Sequence, residues 1–145
     1  MNEINFCEKA LNEYLEAKKK MFPRFYFIPN ASLLEILSNG NNPRRVDDFL
    51  GDCFDGMRSM NLKPQDFSDK TPMHGRGMIA KDGEYVPFRE PFVCAGQVEH
   101  YLSALEEKMK STLGEILVDA RETTDDWIEP DPKKQREFWL NNYCA

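Results

Sequence analysis

The sequence lacks the residue combinations on which common metal and redox sites depend. Its four cysteines are Cys7, Cys53, Cys94 and Cys144. No two of them have the Cys-x-x-Cys spacing of a zinc or redox motif, so reduced, partly buried thiols in a cytosolic protein are predicted. The two histidines, His74 and His100, have no second ligand at metal-binding spacing, and a surface or packing role is expected for each.

Nucleotide-binding and catalytic motifs are also missing. The chain contains no Gly-x-x-x-x-Gly-Lys-Ser/Thr loop, no Gly-x-Gly-x-x-Gly and no Gly-x-Ser-x-Gly, and the stretch Gly75-Arg76-Gly77 is too short to count. The paired carboxylates are Asp47-Asp48, Glu106-Glu107 and Asp125-Asp126. Adjacent carboxylates do not converge on one reacting atom, so we expect these pairs to lie on solvent-exposed faces. The sequence predicts no catalytic, cofactor-binding or metal-binding residue, and hence no enzyme.

Excess basic charge and long apolar runs are absent too. The formal net charge is −6, which disfavours nucleic acid and anionic membranes as partners of the whole surface. No apolar run approaches the roughly eighteen residues that a membrane span needs. The N-terminus has neither the basic flank nor the apolar region of a signal peptide. At 145 residues and 41% hydrophobic composition, the chain has the size of one domain with a modest core.

Apolar residues recur at three-to-four-residue spacing through most of the chain, which predicts helices. The expected ranges are about 2–21, 30–39, 43–60, 97–122 and 132–143. Asn30 and Asn42 are the predicted N-caps of the second and third helices. The basic triplet Lys18-Lys19-Lys20 suits the negative end of the first helix dipole, although it would also suit an anionic partner.

Extended structure is expected in two places. The aromatic run Phe25-Tyr26-Phe27-Ile28 lies between two prolines and predicts a short buried strand. Asp82-Gly83 is a strong turn signal and predicts a β-hairpin over about 78–89, with Pro87 in an edge strand. Residues 61–77 are predicted to form a loop that is either mobile or packed on a neighbouring element. The fold class expected is mainly α: an elongated helical bundle with one small β-hairpin and a short apolar strand.

The apolar pattern also predicts which side chains fill the core. The expected core residues are Phe25, Tyr26, Phe27, Leu33, Leu37, Phe49, Phe54, Leu102 and Leu105. Truncation of Phe27 to alanine is expected to destabilise the fold by roughly 3–5 kcal/mol, as large aromatic truncations in cores do.

Several blocks of the sequence resemble one family in the right order along essentially the whole chain. They are Cys7–Glu16, Phe22–Ile28, Leu33–Ser38, Cys53–Gly56, Met78–Phe88 and the start of a long helix at Gly96. The sequence Phe-Pro-Arg-Phe-Tyr-Phe, followed by the helix Leu-Leu-Glu-Ile-Leu, resembles the linker (N-terminal region 2) of dynein heavy chains. The stretch Lys-Asp-Gly-Glu-Tyr-Val-Pro-Phe is most similar to axonemal heavy chains, and among them it resembles the outer-arm β type.

This resemblance implies a mechanical and non-catalytic role. The linker of that family joins the tail to the first AAA+ module, and it bends and straightens over the AAA+ ring with the ATP cycle. ATP and Mg would then bind in the AAA+ modules, and this fragment would need no cofactor. The implied partners are the AAA+ ring of the same heavy chain, the dynein tail with its intermediate and light chains, and microtubules through the parent only. The implied location is the cytoplasm and the axoneme of a cilium or flagellum.

Two other classes of function remain open on the sequence alone. The first is a stand-alone helical module for protein–protein interaction, and the second is an enzyme with an unrecognised site. A wide apolar cleft with converging charged groups would favour the enzyme. Exposed aromatic residues at the C-terminus favour a fragment of a longer polypeptide over the stand-alone module.

Overall fold

A computed structural model describes residues 2–64 and 73–124, together with 133, 136, 137, 140 and 141. The chain divides into two compact units, Met1–Glu106 and Glu107–Ala145. The helices are α1 (Asn2–Met21), a 3₁₀ helix (Pro23–Phe27), α2 (Asn30–Ser38), α3 (Pro43–Asp47), α4 (Leu50–Cys53) and α5 (Val98–Glu122). The strands are β1 (Met57–Pro64), β2 (Met73–Ala80) and β3 (Tyr85–Cys94). No described helix is long and apolar enough to cross a membrane.

The aromatic run predicted as a strand is a 3₁₀ helix instead. The amide of Phe25 donates to the carbonyl of Phe22, and that of Ile28 donates to the carbonyl of Phe25. A 3₁₀ helix repeats every three residues, so Phe22, Phe25 and Ile28 share one face, and all three are buried. Tyr26 and Phe27, which lie between Phe25 and Ile28, point outward, and Phe27 is 74% exposed. Their assignment to the core was therefore wrong.

The single helix predicted over 43–60 is also wrong. The predicted cap is present, because the side chain of Asn42 accepts a hydrogen bond from the amide of Arg44. The helix nevertheless ends at Asp47, whose carboxylate accepts the amide of Met60 at 2.7 Å. After the short α4 the chain becomes β1. Met57 and Met60 recur at helical spacing, but pairing with β2 buries them in a strand.

The sheet has three antiparallel strands in the order β1-β2-β3. The Asp82-Gly83 turn connects β2 to β3, with Gly83 at φ +95°, and Pro87 lies in the edge strand β3 as predicted. Much of the expected loop over 61–77 is strand, and residues 65–72 lie outside the described part. The fold therefore combines helices with a three-stranded sheet, and the expected elongated helical bundle with one hairpin is not what forms.

The core of the first unit lies where the sheet, the short helices and the beginning of α5 meet. Its fully buried side chains include Phe22, Phe25, Leu15, Leu33, Ile36, Leu50, Leu102 and Leu105. Of the predicted core residues, Phe54 is also buried, whereas Leu37 and Phe49 are half-buried.

The second unit begins within α5. In it Thr112 is buried, while Leu113, Ile116, Leu117 and Val118 are exposed, so this part of α5 leaves several apolar side chains uncovered in the described structure. The helix expected over 132–143 lies mostly outside the described residues.

Candidate functional site

The beginning of α5 is fixed to the rest of the first unit by a buried ion pair. The Nζ of Lys18, at the end of α1, donates a short hydrogen bond to Glu99 Oε1. The side chain of Glu99 is 1% exposed and that of Lys18 is 16% exposed. Burial by itself would raise the pKa of Glu99, but the hydrogen bond and charge of Lys18 outweigh it and the pKa is lowered. The same hydrogen bond raises the pKa of Lys18.

A second ion pair holds α5 two turns further on. Arg24 of the 3₁₀ helix donates from Nε and Nη2 to the two carboxylate oxygens of Glu106, each at 3.2 Å. Its Nη1 also donates to the carbonyl of Cys53 at 3.3 Å, and the guanidinium lies 4.9 Å from the ring centroid of Phe54. Such a two-point contact fixes orientation as well as charge. Sequence patterns predict neither pair, since the partners are 81 and 82 residues apart.

The basic triplet at the end of α1 is largely occupied with the protein's own groups. Besides the Lys18 pair, Lys19 donates to Asn30 Oδ1 at 2.9 Å and to Glu16 Oε1 at 3.1 Å, and it lies 5.5 Å from the ring centroid of Tyr26. Lys20 remains exposed. These contacts favour a structural role over the anionic partner that the sequence had left open.

A small polar cleft of about 190 Å³ lies beside the first ion pair. Its lining residues include Tyr14, Ser38, Asn41 and Gln97, together with the paired Lys18 and Glu99. Because the two charged groups that border the cleft neutralise each other, it offers no free charge for a ligand. It is not the wide apolar cleft that would favour an enzyme.

The described residues contain no group of three His, Cys, Asp or Glu side chains that could hold a metal ion. His74 is half-buried in β2 and His100 is exposed on α5. Burial raises the pKa of Cys53 to about 12 and that of Cys94 to about 11, so both stay protonated thiols at neutral pH. Neither is poised as a nucleophile.

We expect iodoacetamide to modify the cysteines unequally in the folded protein. Cys7 is exposed, whereas Cys53 and Cys94 are buried thiols with raised pKa values. At pH 8, peptide mass spectrometry should find Cys7 alkylated and the two buried cysteines unmodified until denaturant is added. Rapid labelling of Cys53 or Cys94 without denaturant would contradict the burial described above.

Residues 1–120 match the family model described as Dynein heavy chain, N-terminal region 2. The chain belongs to the dynein heavy chain family. This dynein segment is 43% identical, over 96% of its length, to the ciliary dynein beta chain of Tripneustes gratilla. It is 42% identical, over 98% of its length, to dynein axonemal heavy chain 17 of Homo sapiens. It is 37% identical, over 95% of its length, to the flagellar outer arm dynein alpha chain of Chlamydomonas reinhardtii.

The match extends over only a small part of these relatives. The dynein segment spans 3% of the length of each of them. Within that part, the family match and the sequence identities confirm the resemblance predicted from the sequence, including its similarity to ciliary, flagellar and axonemal heavy chains.

Proposed function

We propose that this chain is a mechanical linker segment of a dynein heavy chain and is non-catalytic by itself. Its role is to couple ATP hydrolysis in an AAA+ ring to movement along a microtubule. The observation that carries the proposal is the family match over residues 1–120. The names of its relatives extend the proposal to the axoneme of a cilium or flagellum.

The attachment of α5 gives this role a physical basis. Val98, Tyr101, Leu102 and Leu105 of this helix are buried, and Glu99 and Glu106 bind side chains from two different elements. The buried apolar side chains resist separation of α5 from the rest of the first unit. The two ion pairs form only when α5 has one position along its axis. A helix attached in this way supports force transmission, because sliding would leave a buried carboxylate unpaired.

The partners follow from the same proposal. The AAA+ ring of the same heavy chain is an intramolecular partner, and the tail with its intermediate and light chains belongs to the same complex. ATP and Mg bind in the AAA+ modules, and microtubules are reached only through the parent protein.

The test is made in the full-length heavy chain. Replacing residues 1–145 by a Gly/Ser-rich segment of the same length removes the folded linker but keeps the chain continuous. We expect ATP hydrolysis to persist and microtubule gliding to stop. Gliding at unchanged speed would overturn the proposal.

A second measurement distinguishes the non-catalytic linker from an enzyme with an unrecognised site. The 145-residue chain itself should neither hydrolyse ATP nor bind microtubules. Turnover by a preparation free of other ATPases would refute the non-catalytic assignment.

A further inference from the structure

The turn that follows α2 contains the only Asn-Gly pair of the sequence, Asn39-Gly40. Asparagine is a chemically labile residue, because the backbone amide that follows it can attack its side-chain carbonyl carbon. A glycine in the following position favours the attack, since it has no Cβ to obstruct it and its backbone rotates freely. Every other asparagine is followed by a residue with a Cβ, and for Asn42 that residue is proline, which has no amide proton. The sequence therefore singles out Asn39.

The structure leaves the attacking amide available. The amide of Asn39 donates to the carbonyl of Glu35 at 3.0 Å, and the amide of Asn42 donates to the carbonyl of Asn39 at 2.8 Å. Between them, the amide of Gly40 takes part in none of the hydrogen bonds found among the described residues. The amide that follows Asn41 is that of Asn42, and it is occupied. Asn39 and Gly40 are both half-buried, so water reaches the turn.

The folded turn restrains the side chain that is attacked. Asn39 Nδ2 donates to the carbonyl of Glu35 at 2.9 Å, and the backbone of Asn39 has φ −104° and ψ 16°. Attack by the next amide requires rotation about this ψ bond, so the turn must open transiently. Asn39 lies just past the end of α2, and helix ends open at low free-energy cost. The reaction is therefore expected in the folded protein, at a lower rate than in the unfolded chain.

We propose that Asn39 is a site of spontaneous deamidation and that isoaspartate formed there loosens the start of α5. The nitrogen of Gly40 bonds to Asn39 Cγ and loses its proton, the bond from Cγ to Nδ2 breaks, and ammonia leaves with that proton. The resulting succinimide ring takes up one water molecule, which is the only co-reactant. Opening of the ring at Cγ gives aspartate. Opening at the main-chain carbonyl gives isoaspartate, in which the backbone passes through the former side chain.

The product lies against the beginning of α5. A Cβ on Gly40 would lie 3.4 Å from the Cβ of Val98, which is the first residue of α5 and is buried. Isoaspartate lengthens the backbone by one carbon immediately before Gly40. It also adds a negative charge at the C-terminal end of α2, where the helix dipole disfavours it. Both changes act on the turn that packs against Val98, so the contact between this turn and α5 should weaken.

Peptide mass spectrometry of the full-length heavy chain, aged in mildly alkaline buffer, tests the reaction. The mass gain of an amide converted to an acid should be found at Asn39 before any other asparagine of residues 1–145. Isoaspartate formed at Asp55-Gly56 or Asp82-Gly83 gives no such gain, so the site is assigned without ambiguity. A sample unfolded in guanidinium should react several-fold faster. An intact Asn39 in the folded protein, after complete conversion in the unfolded sample, would overturn the proposal.

Glycine variants test the route of attack. Gly40→Ala should slow the conversion of Asn39 several-fold, because the added methyl group obstructs the attacking amide. The fold should tolerate this change, since the new Cβ meets no atom closer than 3.4 Å and the φ of Gly40 is not positive. The matched control is Gly114→Ala, in the second unit, where a Cβ meets nothing within 4 Å and the rate should not change. An unchanged rate in Gly40→Ala would refute attack by this amide.

Amide hydrogen exchange then tests the effect on α5. Exchange over the first turns of α5 should be several-fold faster in the aged protein than in fresh protein. Asn39→Asp adds the charge without lengthening the backbone, so a smaller increase is expected from this variant. Equal exchange in aged and fresh protein would refute the loosening of α5. These results do not depend on the linker proposal, which is judged by microtubule gliding.

Discussion

Replacing Lys18 by methionine should lower the free energy of unfolding by about 3–5 kcal/mol at neutral pH, as is typical when one partner of a buried ion pair is removed. The methionine fills most of the space of the lysine stem, but the carboxylate of Glu99 is left 1% exposed and without its cation. Urea denaturation followed by circular dichroism measures the change. The double variant Lys18→Met/Glu99→Leu should recover most of the loss, because no buried charge remains.

The pH dependence gives an independent check on this pair. The pKa of Glu99 is lowered in the folded state, so its contribution is present above the ordinary carboxyl pKa and is lost as the pH falls through the folded value. The difference between wild type and Lys18→Met should therefore shrink at acidic pH, where the carboxyl group is protonated in the variant. The control Lys9→Met breaks the exposed pair with Glu13, and about 0.5 kcal/mol or less is expected. Equal losses in the two variants would show that the Lys18–Glu99 pair is not buried.

The second large effect is a difference in stability between alanine variants of Phe25 and Phe27, which lie two positions apart in the same aromatic run. Phe25→Ala should destabilise the protein by about 3–5 kcal/mol, because Phe25 is 0% exposed and its ring lies 5.0 Å from that of Phe22. Phe27→Ala removes the same atoms from a side chain that is 74% exposed, so about 0.5 kcal/mol or less is expected. Chemical denaturation of both variants under identical conditions provides the comparison.

The outcome distinguishes the two possible conformations of the aromatic run. A strand alternates its side chains with a period of two, so Phe25 and Phe27 would lie on one face and lose similar stability. The 3₁₀ helix instead places Phe22, Phe25 and Ile28 on the buried face. A loss at Phe27 as large as that at Phe25 would contradict the 3₁₀ helix and restore the strand that the sequence favoured.

Within this short stretch of the dynein segment, some side chains stabilise the fold and others lie on the surface. Phe25 and Arg24 face the protein, where Arg24 binds Glu106 and the backbone of Cys53. Tyr26 and Phe27 face outward from the same short turn. The backbone repeat of three explains the burial of Phe22, Phe25 and Ile28, whereas Arg24 is turned toward the protein by its own contacts with Glu106 and Cys53.

Local sequence determined the elements whose signals lie within the element itself. The three-to-four-residue apolar spacing and the terminal residues specified α1, α2 and α5 to within one or two residues. The Asp82-Gly83 turn was likewise local, because glycine is the residue that readily adopts its φ of +95°. The family was recognisable for a similar reason, since its blocks are contiguous stretches of sequence.

Tertiary contacts decided the conformation of the stretch from Val46 to Met60 and the long-range ion pairs. The stripe from Val46 to Met60 fits a helix by spacing, yet the contact of Asp47 with Met60 and the pairing of β1 with β2 divide it into short helices and a strand. These partners are distant in sequence, and long-range pairing overrides weak local preference where the sheet buries more apolar surface than a helix would. The Lys18–Glu99 and Arg24–Glu106 pairs arise in the same way, because folding brings together charges more than eighty residues apart.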